Sequence, residues 1–305
     1  MPHDFVIPEQ VLSTAIALVR DDLMLAATVN RDYEDAFGGG RGTVVNVRTP
    51  NTLKARRRKM TDDGQEIVTD TVTESTIPVT MTEHVYSAVD VSDLQMRMDI
   101  ADFTRQVTVP QVRGIVEDLE NLVTETMQAL PESVGLAYDP AKPHLTFTRA
   151  RKMLRDLGLP AAGLWAAVGT GVYAELVDAN ALTDASQSGS TEALRNANVG
   201  RVRAFTVVEN NRFDDDEIVF YGRDAFTLAI RAPYPPDGAA FSASQSDNGF
   251  AMTWVKDYDS KVLKDRSVFQ TYAGCQAMQV KRLAKDGTTS LVTPALRVKT
   301  STIPA

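Results

Sequence analysis

The stretch of sequence that decides the fold runs from Arg41 to Ile100 and divides into two arms of opposite charge. The first arm, Arg41–Met60, reads RGTVVNVRTPNTLKARRRKM and carries seven basic residues and no acid. The second arm, Thr61–Ile100, reads TDDGQEIVTDTVTESTIPVTMTEHVYSAVDVSDLQMRMDI and carries nine acids against Arg97 alone. Val and Thr alternate with polar residues in both arms, a pattern typical of β-strands. Thr61–Gly64 supplies turn residues between them, so the sequence predicts a long two-stranded hairpin.

Such a hairpin is too long to lie wholly within its own domain. An arm of about 20 residues spans up to ~65 Å. A compact body of 305 residues has a radius of gyration of about 19 Å. Because a lone two-stranded hairpin is barely stable in water, we expect this one to be disordered or laid against another molecule.

The charges near the predicted turn are the candidate contacts between copies of the chain. Opposite charge on the two arms would set the orientation of neighbouring copies more than their affinity. Two alternatives remain: a nucleic-acid patch, which lacks the interleaved aromatic residues that stack on bases, and a solvated loop tip with no partner. The candidate contact residues are Arg56, Arg57, Arg58, Lys59, Asp62, Asp63 and Glu66.

The strongest helical pattern lies between Asp99 and Leu130. Pro110 suits a first helical turn and Pro131 ends the pattern. From Thr108 to Ala129 the helix would be roughly 33 Å long. Apolar residues at helical spacing predict one buried face, centred on Val112, Val116, Leu119 and Val123. The opposite, solvent-facing side is predicted to carry Arg113, Glu117, Asp118, Glu120, Asn121 and Glu125.

Other segments give weaker patterns. Pro8–Phe37 predicts an amphipathic helical arm that ends at the glycines 38–40. Leu182–Asn196 is polar and typical of a loop. Two further helices are predicted over Phe147–Leu157 and Val172–Asp178, and a short one ends at Ala229. Strands are predicted over Leu164–Val168, Arg203–Glu209, Glu217–Tyr221, Phe250–Asp257, Arg266–Ala273 and Met278–Leu283.

Composition narrows the functional classes. The net charge of −8 and pI of about 5.0 argue against a dedicated sequence-specific DNA-binding protein. One cysteine excludes a disulfide framework and a Cys-based zinc cluster, and three histidines far apart in sequence disfavour a His-rich metal site. No apolar stretch near the N-terminus approaches ~20 residues and no basic leader precedes one, so we expect a soluble chain made in a reducing cytoplasm.

Three segments resemble chemical sites. Gly169–Ala174, GTGVYA, matches a dinucleotide-binding turn, but no acid ends a second parallel strand about 20 residues on, and a tight strand-to-helix turn is the favoured interpretation. Asp214–Glu217 is expected to be a solvated loop or a subunit contact, since it lacks cation-loop spacing. Cys275 is expected to be a small buried hydrophobe, and His84 to pair with Glu83 or across a strand.

The order of parts resembles the major capsid protein of tailed bacteriophages, of the type found in short-tailed phages and actinobacterial viruses. The order is a helical arm, a charged hairpin, a long strut helix, a mixed α/β region and a returning sheet. The stretches that carry the resemblance are Asp21–Glu34 (DDLMLAATVNRDYE), Gly42–Pro50 (GTVVNVRTP), Asp99–Phe103 (DIADF), Val109-Pro110, Ala150–Pro160 (ARKMLRDLGLP) and Ala193–Val202 (ALRNANVGRV).

The resemblance implies an α+β shell fold, shared with encapsulins and the herpesvirus capsid floor. Its parts would be an N-terminal arm (1–42), an extended loop or E-loop (43–87), a peripheral domain with the strut, or spine, helix (88–140 with 248–305) and an axial domain (141–247). It further implies a structural protein without enzymatic activity or cofactor, forming hexamers and pentamers of an icosahedral head around double-stranded DNA. An encapsulin-type nanocompartment and a nucleotide-binding enzyme using Gly169 and Gly171 are the alternatives.

The same resemblance implies partners and a location. The chain would bind other copies of itself, and scaffolding, portal and decoration proteins are the expected further partners. Contact with packaged DNA would be non-specific, and no membrane is expected to be involved. The protein would be assembled in the host cytoplasm and would end in the virion capsid.

Overall fold

The computed structural model describes most of the chain: residues 11–17, 24–31, 44–49, 75–91, 104–179, 201–236, 238, 241–247, 250–259, 264–283 and 289–300, with 53, 55–57, 60, 64, 66–69 and 71. Strands and helices are mixed within these residues. The strands are β1 (Val44–Thr49), β2 (Ser75–Thr80), β3 (Glu83–Val91), β4 (Leu164–Val168), β5 (Arg201–Val202), β6 (Phe205–Glu209), β7 (Ile218–Gly222), β8 (Phe226–Arg231), β9 (Phe241–Asp247), β10 (Phe250–Asp259), β11 (Lys264–Ala277), β12 (Val280–Leu283), β13 (Thr289–Val292) and β14 (Ala295–Val298).

The described residues contain fewer helices than strands. The chain divides into two compact units. Residues 11–17 are helical, and three further helices follow: α1 (Val109–Gln128), α2 (Pro143–Asp156) and α3 (Thr170–Asp178). A π-helical turn, Thr104–Thr108, precedes α1 and a 3-10 turn, Arg223–Ala225, precedes β8. Unit 1 contains Met1–Val45, Val79–Ala129 and Phe226–Gln276. Unit 2 contains Asn46–Pro78, Leu130–Ala225 and Ala277–Ala305.

Unit 1 is built on a sheet with the strand order β3-β11-β10-β9, and β8 also pairs with β11. The pairs β3–β11, β11–β10 and β10–β9 are antiparallel. Inside the sheet Trp254 stacks on Phe269, with the ring centroids 6.1 Å apart. These large buried rings supply much of the apolar area that stabilises the unit.

Helix α1 packs its apolar face inside unit 1. Val112, Val116, Leu119 and Val123 are all buried, as are Ile115 and Met127 one turn away. Pro110 lies in the first turn, where its missing N–H leaves no hydrogen bond unmade. The regular 3.6-residue spacing of these side chains is the reason why the sequence predicts this helix so well.

A buried polar network fixes α1 on the sheet. The Gln111 amide nitrogen donates to the carbonyls of Ser87 (2.9 Å) and Ser267 (3.0 Å). The Ser267 hydroxyl donates to the Gln111 amide oxygen and accepts from the Trp254 indole N–H. Because every polar atom of such a network must be satisfied, it allows only one register of helix against sheet.

Unit 2 has a five-stranded sheet of order β14-β7-β4-β6-β5. Strands β4 and β6 are parallel, and the other pairs are antiparallel. Leu164, Ala166 and Val168 alternate along β4 and so lie on one face, where Phe147 of α2 and Leu176 of α3 join the same buried cluster. Both helices therefore cover one side of this sheet. A separate pair, β12–β13, forms a two-stranded antiparallel sheet.

Two strand-region predictions are wrong in detail. The strand predicted over Arg203–Glu209 begins only at Phe205, because Arg203 (φ 49°) and Ala204 (φ 77°) form a tight turn between antiparallel β5 and β6. Two-residue hairpins need positive φ, which Asn-Gly usually supplies, and no such signal stands here. The short helix predicted up to Ala229 is in fact strand β8, whose run of buried residues has no period that separates strand from helix.

The predicted N-terminal arm is only partly helical. Residues 11–17 are helical, but residues 24–31 form turns, and Asn30 makes an isolated bridge to Thr227. The helix predicted over Pro8–Phe37 is therefore not continuous, and its remaining residues lie outside the described part. The polar stretch Leu182–Asn196 also lies outside it.

Candidate functional site

The charged stretch that decides the fold is a paired stem with an exposed end. Strands β1 and β2 pair with each other in a two-stranded sheet. The second arm is predicted to form a strand, but its alternating segment Ile67–Val72 is not a strand at its described positions 67–69 and 71. The partner of the first arm lies instead at Ser75–Thr80. Gly64 lies in a turn, which agrees with the predicted reversal near Thr61–Gly64.

All described residues between positions 53 and 71, which we call the charged loop, are exposed. Apolar side chains are included: Leu53 is 60% exposed, Met60 98%, Ile67 77% and Val68 61%. Within the loop, the Arg56 guanidinium of the first arm donates a hydrogen bond to the Val68 carbonyl of the second arm (3.2 Å). The loop thus places apolar and charged side chains in solvent.

The candidate contact residues are only partly described. Arg56, Arg57 and Glu66 are exposed, so positive and negative groups are both present on the charged loop. The other four, Arg58, Lys59, Asp62 and Asp63, lie outside the described residues. Their role as contacts stays a prediction.

Strand β3, which follows the stem in the chain, lies in the sheet of unit 1. His84 lies opposite Tyr272 of β11, its Nε2 lies 3.1 Å from the Gln270 amide oxygen, and its ring packs on Tyr86 and Tyr272. His84 thus has the cross-strand partner that the sequence predicts. Position 274 of β11 requires glycine, since a Cβ at this position would lie 2.2 Å from the Thr80 carbonyl oxygen.

A buried carboxylate of α1 holds the N-terminal segment. Glu120 accepts hydrogen bonds from the backbone N–H groups of Met24, Leu25 and Ala26 at 3.0–3.1 Å. The prediction that Glu120 lies on the solvent face is wrong, because it is only 4% exposed. Charge-assisted bonds to three N–H groups offset the cost of burying the carboxylate. Sequence spacing gave no signal of this contact, since Glu120 borders the charged side of α1.

The glycine turn Gly169-Thr170-Gly171 is filled by the chain itself. A Cβ on Gly169 would lie 2.0 Å from the Asp214 carbonyl oxygen, and one on Gly171 2.8 Å from that of Asp215. The Val172 N–H donates to the Asp215 carbonyl, and the Thr170 hydroxyl to the Asp215 carboxylate (2.8 Å). The space that a pyrophosphate would need holds the 214–217 loop, so the tight strand-to-helix turn is the correct interpretation.

The acidic run Asp214–Glu217 is tied to the end of the chain. Lys299 Nζ lies 2.6 Å from the Asp214 carboxylate and lowers the pKa of that group. Arg297 Nε donates to the buried carboxylate of Glu217 at 2.5 Å. These acids also lie beside the first turn of α3, where negative charge is favourable.

No described group has the features of a catalytic or metal centre. Among the described residues there is no set of three or more His, Cys, Asp or Glu that could hold a metal ion. Cys275 is only partly buried, so the prediction of a buried hydrophobe is not fully met. Desolvation of its thiol still raises the pKa to about 12, so it is a poor nucleophile. No helix in the described ranges is long and apolar enough to cross a membrane.

Comparison with known proteins identifies the architecture. A structure of Mycobacterium phage Che8 is similar with a TM-score of 0.58 and 18% identity over 90% of both chains. The capsid of Ralstonia phage GP4 is similar with a TM-score of 0.55 and 11% identity over 87% of this chain and 86% of the other. The chain has a phage capsid fold. No family model matches it, and no curated protein matches its sequence.

This chain is also similar in structure to a particle that is not described as a phage. A virus-like particle from Pyrococcus furiosus has a TM-score of 0.50 and 12% identity, over 95% of this chain and 98% of the other. The α+β shell fold implied by the resemblance is thereby confirmed. At these identities the fold is what the likeness establishes.

Proposed function

We propose that this chain is the structural major capsid protein of a phage, forming hexamers and pentamers of an icosahedral head that encloses double-stranded DNA. One observation carries the proposal: a phage capsid fold over nine-tenths of the chain. Its charged loop offers a means of assembly. This function is architecture and involves no turnover.

The apolar residues of the charged loop supply a driving force for assembly. Leu53, Met60, Ile67 and Val68 are each more than half exposed. Covering one such side chain with a neighbouring copy is worth roughly 1.5–3 kcal/mol before ordering costs. A closed shell repeats the contact many times, so many weak contacts together hold it.

The charges of the loop set the orientation of the neighbours. Arg56 and Arg57 are exposed on the first arm and Glu66 on the second. Complementary potentials between copies favour one register and suppress wrong pairings. We extend this role to Arg58, Lys59, Asp62 and Asp63.

The finer assignments belong to the same proposal. The four parts are the arm (1–42), the E-loop (43–87), the peripheral domain (88–140 with 248–305) and the axial domain (141–247). Scaffolding, portal and decoration proteins are the further partners. The protein is assembled in the host cytoplasm and resides in the virion capsid.

Charge reversal in the loop tests the proposal. The triple variant Arg56→Glu, Arg57→Glu, Arg58→Glu should melt like the unaltered protein, since substitutions at exposed positions such as 56 and 57 change stability by about 0.5 kcal/mol or less each. It should form few or no particles by sedimentation and electron microscopy. The matched control, Lys at the same three positions, should assemble. A normal yield of particles from the Glu variant, or no closed particles from the unaltered chain, would contradict the proposal.

The second candidate is an encapsulin-type nanocompartment, and the fold shared with the virus-like particle from Pyrococcus furiosus is compatible with it. The contents of purified particles separate the two functions. A phage head should contain nuclease-protected double-stranded DNA. A nanocompartment should contain an enzyme as cargo and no such DNA.

A further inference from the structure

The outer face of α2 in unit 2 is strongly basic. Over Pro143–Asp156 the helix carries four basic residues against Asp156 alone, in a chain whose net charge is −8. Its other face is core, since Phe147, Ala150 and Leu154 are fully buried. The basic residues, Arg149, Arg151, Lys152 and Arg155, are all exposed.

The spacing of these residues forms one patch, which we call the α2 basic face. Arg149, Lys152 and Arg155 follow one another at intervals of three, so they lie side by side along the helix over about 9 Å. Arg151 lies four residues before Arg155 and flanks this row. Neighbouring positive groups repel one another, so the patch favours an anionic partner.

Three of the four side chains are unpaired within the described part of the chain. Arg155 donates to the Leu159 carbonyl at 2.5 Å. Arg149, Arg151 and Lys152 have no hydrogen bond or ion pair with any described residue. Two other basic residues of unit 2, Lys299 and Arg297, are paired internally with Asp214 and Glu217. The α2 basic face is therefore available for an external ligand.

The make-up of the face favours a polyanion over a protein. The centre of a protein interface is enriched in aromatic residues and depleted of charge. On α2 the only large apolar side chain that is exposed is Leu145, at 38%. Arg presents a planar fork that matches phosphate oxygens. Without an exposed aromatic ring to stack on bases, such contacts would be independent of sequence.

We infer that the α2 basic face contacts the phosphate backbone of the enclosed double-stranded DNA. This inference rests on the proposed function, because the head supplies the DNA. Arg149, Arg151 and Lys152 form the contact and hold DNA at a local site on a chain that is otherwise acidic. The charged loop, in contrast, serves contacts between copies.

The test compares two triple neutralisations of equal charge change. One is Arg149→Gln, Arg151→Gln, Lys152→Gln in α2, and the other is Arg56→Gln, Arg57→Gln, Arg58→Gln in the loop. Gln keeps a good helix propensity, so α2 should remain folded. Binding of unassembled full-length protein to a 30-base-pair duplex is measured by fluorescence anisotropy over a salt series. Particle yield is measured in parallel by sedimentation.

The α2 variant should lose DNA affinity about tenfold or more, and its salt slope should fall by about 2.7, since each phosphate contact contributes about 0.9. The loop variant should keep DNA affinity. Restoring charge with Lys at 149 and 151 and the native Lys152 should restore binding, which excludes loss of folding as the cause.

Four results would overturn the inference. They are no DNA binding by the unaltered chain, unchanged binding by the α2 variant, an equal loss in both variants, and lost particle assembly in the α2 variant, which would make the face a contact between copies. The first three results concern DNA binding alone. Particle formation by the unaltered chain is a separate measurement and tests the proposed function.

Discussion

Helix α1 and the charged loop differ in where their apolar side chains find partners. In α1, Val112, Leu119 and Val123 are almost fully buried within unit 1. In the loop, Met60 and Ile67 are largely exposed. The helix is thus stabilised by the chain's own contacts, whereas the exposed apolar side chains of the loop are open to the contacts that we propose between copies. Substitutions in α1 should therefore lower the stability of the single chain, whereas substitutions in the loop should lower the yield of particles.

The sharpest test of this difference places the same substitution in both regions. Leu119→Asp buries an unpaired charge in unit 1 and should lower the free energy of unfolding by more than about 4 kcal/mol, leaving little folded protein. Ile67→Asp should leave the melting temperature almost unchanged and reduce particle yield. Circular dichroism melts and sedimentation measure the two effects. Equal destabilisation by both variants would contradict the claim that α1, and not the loop, stabilises the single chain.

Glu120 extends the comparison to the polar contacts of α1. Glu120→Ala leaves three N–H groups of residues 24–26, two of them buried, without their acceptor and should destabilise the protein by about 3 kcal/mol. The control Glu125→Ala, at an exposed position of the same helix, should change stability by less than about 0.5 kcal/mol. Chemical unfolding followed by Trp fluorescence gives both values. If the two variants unfold alike, Glu120 does not anchor the N-terminal segment.

Two glycines give opposite expectations for one substitution. Gly169→Ala places a Cβ 2.0 Å from a backbone oxygen and should destabilise by about 1–3 kcal/mol. Gly114→Ala lies in α1 with no atom within 4 Å of the new Cβ, and should stabilise by about 0.5–1 kcal/mol. Thermal unfolding of the pair checks the signs. Unchanged stability of Gly169→Ala would contradict the close packing of the Asp214 backbone against this turn.

The exposed pair Lys299–Asp214 should have the smallest effect. Lys299 lowers the pKa of Asp214 below its ordinary value of 3.8, so the pair's contribution is complete above that pH and is lost as the pH falls through the lower value. Lys299→Gln should cost less than about 1 kcal/mol at pH 7. The difference from the unaltered protein should vanish toward pH 2 in urea unfolding. A difference that grows toward acid would contradict the assigned pairing.

Regular patterns were predictable from the sequence, and contacts distant in sequence were not. Helix α1 is confirmed because its apolar spacing repeats over 20 residues. Strand β4 is confirmed because a short apolar run ends at a glycine turn. The Arg203-Ala204 turn was missed because neither residue normally favours positive φ, and the tertiary structure imposes it.

The functional residues show the same division. The charge contrast between the two arms is visible in sequence, and the exposed charged loop agrees with it. The role of Glu120 was not visible, because its partners lie about 95 residues earlier in the chain. The α2 basic face was missed because its apolar and basic residues alternate along the sequence and separate only when the helix forms.

Hydrogen exchange of the charged loop, in unassembled protein and in purified particles, tests the central claim most directly. In unassembled protein the amides of Leu53, Arg56, Ile67 and Val68 should exchange rapidly while those of α1 are protected. In particles these loop amides should slow by about a hundredfold or more, as neighbouring copies cover them. Protection in the unassembled chain equal to that of α1, or no slowing in particles, would contradict the account.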